Sequence, residues 1–242
     1  MYLKILLQNK YIYKIGSSAI LIINLIKNIL NIYDDNMYKL MEANMKLQVL
    51  VSCMHQQDYS LLEKMNIQTD AIIINQCDIN KFEDIKYRNN LVKFISLNER
   101  GVGKSRNNAL LRADSDICLF ADEDVSYVDG YEDIIIKAFK KNPDADIILF
   151  NLESTNKQRP IYQITKEKRV RKYNFLKYGT VRIAAKVSSL RKANVHFSLL
   201  FGGGTKYGSG EDSLFLKDCI SRGLKIYASP KKIGYVSQDS SC

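Results

Sequence analysis

Residues 117–124 read Ile-Cys-Leu-Phe-Ala-Asp-Glu-Asp, an apolar run that ends in three carboxylates. A short apolar run bounded by polar residues is typical of a buried β-strand. Carboxylates at the C-terminal end of such a strand lie at the rim of a sheet, where open α/β folds bind ligands. Asp122 and Asp124 are separated by one residue, so both can reach a hard divalent cation, and such a cation can neutralise a diphosphate.

A second acidic pair, Glu211-Asp212, follows the glycine-rich stretch 202–210. Together with the first cluster it offers one site to hold a metal-bound diphosphate and another to move a proton, which is the minimum for group transfer from an activated donor. Both clusters have a simpler interpretation. Acidic residues favour the N-terminus of a helix, and Asp122 with Asp124 also fits a solvated turn after a strand.

Strands and helices are predicted to alternate on both sides of this acidic run. Apolar runs predict strands over 47–53, 71–75, 91–97, 116–121, 145–150, 180–186 and 224–228. Helical patterns separate several of them, over 58–65, 103–113, 129–141 and 211–222. This alternation predicts an α/β fold with a mostly parallel central sheet and helices on both faces.

The first 45 residues differ from the rest, being rich in Ile, Leu, Asn, Tyr and Lys. Asn24, Lys27, Asn28 and Asn31 recur at helical spacing and form a polar stripe, and the apolar run they interrupt is too short to span a membrane. We therefore predict an N-terminal amphipathic helical appendage over residues 1–45 and one catalytic domain over 46–242. The appendage packs on the domain or on a partner, or it contacts the inner membrane face.

The composition is that of a globular protein with excess positive charge. Lys and Arg number 36 against 26 acidic residues, which favours anionic partners such as phosphorylated substrates or an acidic membrane surface. The basic residues are spread out apart from 137–141 and 166–172, so a solvated surface also explains them, and we expect no nucleic-acid partner. Five cysteines without CxxC or metal-finger spacing indicate reduced thiols and a cytoplasmic location.

Residues 98–105, Asn-Glu-Arg-Gly-Val-Gly-Lys-Ser, nearly match the phosphate-binding loop GxxxxGK[ST]. Asn98 replaces the first glycine, which lets that loop curl around phosphate, and only one predicted helix separates the segment from the acidic strand. A P-loop-like NTPase or a nucleotidyltransferase is therefore the weaker alternative, and it requires activity that depends on Lys104. A third hypothesis is a non-catalytic relative that binds a nucleotide without turnover.

From about residue 47 to 235 the sequence resembles the family 2 glycosyltransferases, which have a GT-A type fold. The strand 49–53 stands where the family opens its nucleotide pocket, and 98–107 looks like its Gly-x-x-x-x-Arg-Asn helix start. The triplet 122–124 looks like the DxD motif, and 208–212 looks like the Glu-Asp motif that opens a helix. Each motif alone is weak, but all four in this order are specific.

The resemblance implies transfer of one sugar, with inversion, from a nucleotide sugar to a hydroxyl of a glycan or lipid-linked acceptor during cell-surface polysaccharide synthesis. The donor implied is a UDP-sugar. Asp122 and Asp124 would hold Mg²⁺ or Mn²⁺, with Asp124 the more direct ligand. Asp212 would accept the proton of the acceptor hydroxyl, and Glu211 would orient the acceptor or its loop.

The resemblance also implies a set of nucleotide-binding residues, namely Ser52, Asp78, Gly103, Arg106, Asp122 and Gly203. Asp78 matches an acidic position that contacts the base or ribose in the family. For Arg106 two roles fit, support of the nucleotide and a structural salt bridge. The glycines at 202–204 allow close approach of the backbone to donor or acceptor.

The C-terminal sequence departs from one branch of the family. The QxxRW signature of processive polysaccharide synthases is absent, which favours transfer of a single sugar over polymer extrusion. Family members commonly continue into helices that close the acceptor side. We therefore expect a C-terminally truncated domain or one that depends on a partner.

Overall fold

The computed structural model describes residues 45–238, and the appendage predicted for residues 1–45 lies outside this range except for its last residue. In chain order the elements are β1 (Leu47–Met54), α1 (Ser60–Lys64), β2 (Asp70–Gln76), β3 (Lys81–Tyr87), β4 (Asn90–Leu97), α2 (Val102–Arg112), β5 (Ile117–Asp122), β6 (Val125–Tyr127), α3 (Tyr131–Lys141), β7 (Ile147–Ser154), β8 (Lys168–Val170), a 3₁₀ turn (Thr180–Arg182), β9 (Ile183–Lys186), α4 (Val187–Ala193), α5 (Glu211–Ser221) and β10 (Ile226–Val236). Strands and helices alternate as predicted.

Within residues 45–238 the strands form one ten-stranded sheet, in the order β3-β4-β2-β1-β5-β9-β7-β10-β6, with β8 paired to β10. Its core is parallel, because β4, β2, β1 and β5 all run in the same direction. β9 lies antiparallel between β5 and β7, and β10 is parallel to β7. The predicted α/β fold with a parallel core is confirmed. The short or exposed strands β3, β6 and β8 are absent from the sequence prediction.

The central strands are apolar because both of their faces are covered. Along β1, Val49 and Val51 join one buried cluster, while Leu50 joins the cluster on the other face. Helices α1 and α3 cover the first face, and α2, α4 and α5 cover the second. Each fully buried aliphatic side chain of this kind contributes about 1.5–3 kcal/mol relative to an exposed one. The periodicity of the sequence therefore located these strands well.

The register of the parallel core places the ends of its strands at one edge of the sheet. Ser52, near the end of β1, lies opposite Asp122, the last residue of β5. The neighbouring strand β2 also ends at this edge, just before Asp78. We call it the carboxyl edge. Ser52, Asp78 and Asp122, which the family resemblance assigns to nucleotide or metal binding, therefore lie along one edge of the sheet.

Two further properties of the described residues concern helix length and the cysteines. No helix within residues 45–238 combines the length and apolarity needed to cross a membrane. Cys53, Cys77, Cys118 and Cys219 are buried free thiols. Burial raises the pKa of Cys118 to about 12, so this thiol stays protonated at neutral pH. The reduced state that the cysteine spacing predicts stays a prediction.

Candidate active site

Arg106 lies at the centre of the site, on α2, with only 4% of its side chain exposed. Its Nη2 donates to both carboxylate oxygens of Asp122 at 3.0 Å. Its Nη1 donates to Glu211 Oε1 at 3.0 Å and to Asp212 Oδ1 at 3.2 Å. One guanidinium group thus joins the strand-end carboxylate to the distant acidic pair, and the two predicted clusters share one site.

The helices that carry these side chains begin at glycines with unusual backbone angles. Gly101 precedes α2 with a φ of 117°, and Gly210 precedes α5 with a φ of 109°. Residues with a Cβ rarely adopt such angles, so glycine lets each helix start abruptly at the carboxyl edge. Ser105 is hydrogen-bonded through its hydroxyl to that of Ser52 at 2.9 Å, which fixes the first turn of α2 against β1. Arg106 follows directly.

The cluster carries more negative than positive charge. Burial lowers the pKa of Arg106, but the charges of Asp122, Asp212 and Glu211 together raise it above its ordinary value. Burial raises the pKa of Glu211, and the charge of Asp212 adds to this effect while Arg106 opposes it. Three carboxylates face a single cation, so the site favours binding of a further cation or a proton.

Asp212 is held on one side only. Thr180 donates its hydroxyl to Asp212 Oδ1, the same oxygen that Arg106 contacts. Within residues 45–238 no donor contacts Oδ2, and about a third of the Asp212 side chain is exposed. Gly179 lies beside that oxygen, since a Cβ built there would be 3.4 Å from Oδ2. The arrangement leaves one oxygen of Asp212 open to a ligand.

Thr180 was not predicted as a site residue. It is buried and lies in the 3₁₀ turn that leads into β9, in a stretch where the sequence pattern is weak. Nothing in its local sequence indicates chemistry. Its position follows from the packing of β9 between β5 and β7, which no local pattern shows.

Glu123, the middle residue of the acidic triplet, also has a role that sequence reasoning missed. Its Oε2 accepts from Met54 N at 3.2 Å and from Gln56 Nε2 at 2.7 Å. Gln56 is in turn paired with Asn75 of β2, through hydrogen bonds of 2.9 and 3.0 Å. Glu123 therefore ties together the ends of three strands and shapes the loop after β1. The sequence feature that could have indicated this role is the position of Glu123 between the two predicted metal ligands.

A cavity of about 430 Å³ opens at the carboxyl edge beside this loop. Its lining consists of His55, Gln56, Gln57, Asp58, Tyr59, Asn75, Cys77, Asp78, Ile79, Lys81, Glu83, Phe94 and Ser96. The rings of Tyr59 and Phe94 meet edge to face at 5.3 Å. Asp78 is largely exposed in this lining and forms an ion pair with Arg100 at 2.6 Å. Both the volume and the mix of aromatic and polar groups suit a small organic ligand.

Asp124 lies on the same rim, two residues beyond Asp122. Its Oδ2 accepts from Gln238 N, and its backbone oxygen accepts from Ser237 N, both at 3.1 Å. Within residues 45–238 no group of three or more His, Cys, Asp or Glu side chains is arranged to hold a metal ion. The carboxylates of Asp122 and Asp124 are of the hard type that Mg²⁺ and Mn²⁺ prefer, and metal binding by these two residues stays a prediction.

Of the two predicted glycines, Gly103 lies at a close contact, whereas Gly203 has open space where a Cβ would lie. A Cβ on Gly103 would lie 2.2 Å from the backbone oxygen of Ser198, so this glycine is required by packing. The carbonyl of Gly203 accepts from Val102 N at 3.0 Å at the start of α2. Contacts of Gly103 and Gly203 with a nucleotide stay predictions.

Lys104, on which the P-loop alternative depends, forms an ion pair with Glu99 at 2.9 Å. Half of its side chain is exposed. A P-loop requires a lysine that is directed into a ring of backbone amides, and Lys104 is not arranged in this way.

The sheet has a parallel core, carboxylates at its rim and helices on both faces. The fold is of the GT-A type. The chain belongs to the family described as Glycosyl transferase family 2, whose sequence pattern matches residues 59–196, more than half of the chain. This confirms the resemblance drawn from the motifs. Comparison with curated proteins finds no match.

Among solved structures, the chain is similar to TarS of S. aureus. Against TarS 1–349 in complex with UDP the TM-score is 0.62 at 21% identity, covering 80% of this chain and 60% of that one. Against the complex with UDP-GlcNAc the values are 0.61 and 20%, covering 82% and 60%. This similarity shows a shared fold. The chain spans about 60% of the length of the TarS fragment.

Proposed function

We propose that the protein is a metal-dependent glycosyltransferase. It moves one sugar from a UDP-sugar to a hydroxyl of a glycan or lipid-linked acceptor, with inversion, as a step in cell-surface polysaccharide synthesis in the cytoplasm. The observation that carries the proposal is the shared contact of Asp122 and Asp212 with Arg106, which brings a donor-side and an acceptor-side carboxylate into one site. Family membership and the UDP and UDP-GlcNAc complexes of TarS support the donor class.

Asp212 is the proposed general base. Arg106 and Thr180 engage Oδ1 and hold the carboxylate in one orientation, so Oδ2 is the atom that would receive the proton of the acceptor hydroxyl. As that hydroxyl attacks the anomeric carbon, the nucleotide diphosphate leaves from the opposite face, which gives inversion. Glu211 shares Arg106 with Asp212, so it supports the base and does not itself need to move a proton.

Asp124 and Asp122 are the proposed metal-binding residues. The family resemblance assigns Asp124 as the more direct ligand, and Asp122, which pairs with Arg106, as the second. With only two carboxylates from the protein, oxygens of the donor diphosphate would complete the coordination, as is usual for Mg²⁺. A bound ion would stabilise the negative charge of the departing diphosphate. The excess of carboxylates over cations in the cluster supports such binding.

The cavity at the carboxyl edge is the proposed nucleoside site. Asp78 lies in its lining, where it would accept hydrogen bonds from base or ribose, and Ser52 lies at the end of the adjacent β1. Arg106 is buried under the carboxylates, so we assign it a positioning role. The P-loop alternative finds no support, because Lys104 is paired with Glu99.

We expect UDP with Mn²⁺ to raise the melting temperature of the full chain, and Asp124→Asn to remove the Mn²⁺-dependent part of the shift. A ligand at 100 times its Kd stabilises by about 2.7 kcal/mol, which corresponds to a shift of roughly 5–11 °C for a protein of this size. A thermal-shift series with UDP and several UDP-sugars, with and without Mn²⁺, measures this effect. Asp133→Asn, at an exposed position of α3, is the matched control. An unchanged Mn²⁺ response in Asp124→Asn contradicts the metal assignment.

Thr180→Val is expected to lower kcat by about 10- to 100-fold while leaving UDP binding unchanged. Valine keeps the shape of the buried side chain but removes the hydroxyl that holds Asp212 Oδ1. A hydrogen bond to a charged group contributes about 1.5–3 kcal/mol, which sets this range. Thr180→Ser restores the donor and should recover most of the rate. Steady-state release of UDP provides kcat, and equal rates in Thr180→Val and wild type would show that Asp212 needs no such support.

A further inference from the structure

Residues 166–177, Lys-Glu-Lys-Arg-Val-Arg-Lys-Tyr-Asn-Phe-Leu-Lys, form a segment that the proposed reaction does not use. We call it the basic loop. It contains six basic residues and a single acidic one, Glu167, whose charge is already paired with Lys141 at 2.8 Å. The loop therefore presents a strong local positive charge, well above the general bias of the chain.

The basic loop is attached firmly to the domain. Its strand β8 pairs antiparallel with β10, and Val170 within it is buried in the core. Arg171 and Asn174 close a turn through two hydrogen bonds, Asn174 N to Arg171 O at 3.0 Å and Arg171 N to Asn174 Oδ1 at 2.8 Å. Tyr178 is buried directly after the loop. The loop therefore has a fixed conformation, and we call residues 171–177 its tip.

The tip exposes large apolar side chains among the cations. Tyr173 is 80% exposed and Leu176 is 73% exposed, while Arg171, Lys172 and Lys177 around them are exposed as well. Apolar side chains gain nothing from contact with water. At a bilayer surface the same set is favourable, because tyrosine and leucine enter the interface while lysine and arginine reach anionic headgroups.

A cavity of about 420 Å³ lies beside the tip, between the basic loop and the end of α5. Its lining combines Arg169, Arg171 and Lys172 of the basic loop with the apolar side chains of Ile220 and Leu224. Cations and apolar side chains in one cavity match a lipid phosphate and the carbons attached to it. This complementarity favours a lipid surface over a soluble polyanion, which would leave the apolar lining and Leu176 without a partner.

We propose that the basic loop docks the protein onto an anionic lipid bilayer, with Tyr173 and Leu176 in the interface and the basic side chains at the lipid phosphates. The loop continues directly into Gly179 and Thr180, which contact Asp212. Docking would therefore bring the acceptor side of the site close to the membrane surface. The lipid contact itself does not depend on sugar transfer.

The chain has no tryptophan, so Tyr173→Trp creates a single fluorescent reporter at the tip. We expect its emission to shift to shorter wavelength with vesicles of equal parts phosphatidylcholine and phosphatidylglycerol, and to be quenched when the acyl chains are brominated. Phe82→Trp is the matched control, an exposed aromatic position on β3 at the opposite end of the sheet order. Its emission should not change. Vesicle binding of the full chain that leaves the reporter of Tyr173→Trp in water overturns the proposal, since the contact would then lie elsewhere.

A charge-reversal pair tests the cations. Arg171→Glu with Lys172→Glu should weaken partitioning onto the anionic vesicles by about 25-fold or more, because each basic residue near such a surface contributes about fivefold. Lys64→Glu with Lys86→Glu changes the net charge equally, at exposed lysines of α1 and β3, and should have a much smaller effect. Equal losses in both pairs, or binding of soluble polyphosphate with no binding of vesicles, overturns lipid docking. UDP-dependent melting shifts of the same samples report separately on the nucleotide site.

Discussion

Replacing Asp212 with asparagine is expected to lower kcat for sugar transfer by about 10²–10⁴-fold, the range that a positioned general base contributes. Asparagine has the same size, and its amide oxygen can still accept from Arg106 and Thr180. It has no oxygen that can take a proton at the open side of the residue. Binding of UDP and Mn²⁺ should persist, because those ligands are assigned to other residues. Release of UDP from a UDP-sugar, with and without acceptor glycans, measures the rate.

Asp218→Asn is the matched control, since Asp218 is an exposed aspartate on the same helix as Asp212. Its rate should equal that of the wild type. A normal rate in Asp212→Asn would show that another group removes the proton. A wild-type protein that binds UDP but turns over none of the donors with any acceptor would favour the non-catalytic alternative, and a rate that requires ATP and Lys104 would favour the P-loop alternative.

The sequence predicted the central strands well because their apolar runs reflect burial on both faces. The first predicted strand covered 47–53, and the structure has Leu47–Met54. Strand β3, in contrast, was missed because most of Lys81–Tyr87 is exposed and charged, as befits an edge strand without a buried face. The sequence feature that could have indicated β3 is the asparagine-containing turn after it. In this two-residue hairpin loop Arg88 and Asn89 both have positive φ, which asparagine tolerates better than most residues.

The candidate site shows the same division between local and distant information. The two acidic clusters and the start of α2 were visible as motifs, and the structure joins them through Arg106, 105 residues before Glu211. Sequence reasoning left two roles open for Arg106 because spacing along the chain does not reveal its partners. The salt bridge is the role that the geometry supports. Thr180 was missed for the same reason, since it reaches Asp212 only after β9 has inserted into the sheet.

Replacing Arg106 with methionine is expected to destabilise the protein by about 2–4 kcal/mol. Removing one partner of a fully buried ion pair costs about 3–5 kcal/mol, and the estimate is lower here because Asp122 and Asp212 are each about one third exposed and partly screened by water. Urea unfolding of the full chain measures the loss. Arg112→Met is the control, since Arg112 on the same helix bonds only to Asn108 within residues 45–238, and it should cost less than about 1 kcal/mol.

The pH dependence of that loss identifies its cause. Burial already raises the pKa of Glu211, so its ionisation in the folded protein opposes stability, and removing the guanidinium raises this pKa further. The folded variant therefore binds the proton of Glu211 more tightly than the unfolded chain does. This proton binding contributes fully to stability below the unfolded pKa of Glu211, and the contribution is lost as pH rises through the folded pKa. The difference between Arg106→Met and wild type should therefore shrink as pH falls from neutrality. Adding Glu211→Gln to Arg106→Met removes one unpaired charge and should recover part of the stability at pH 7. A deficit that is independent of pH and unaffected by Glu211→Gln would assign the loss to packing, and Arg106 would then not be the cation that holds the two acidic clusters together.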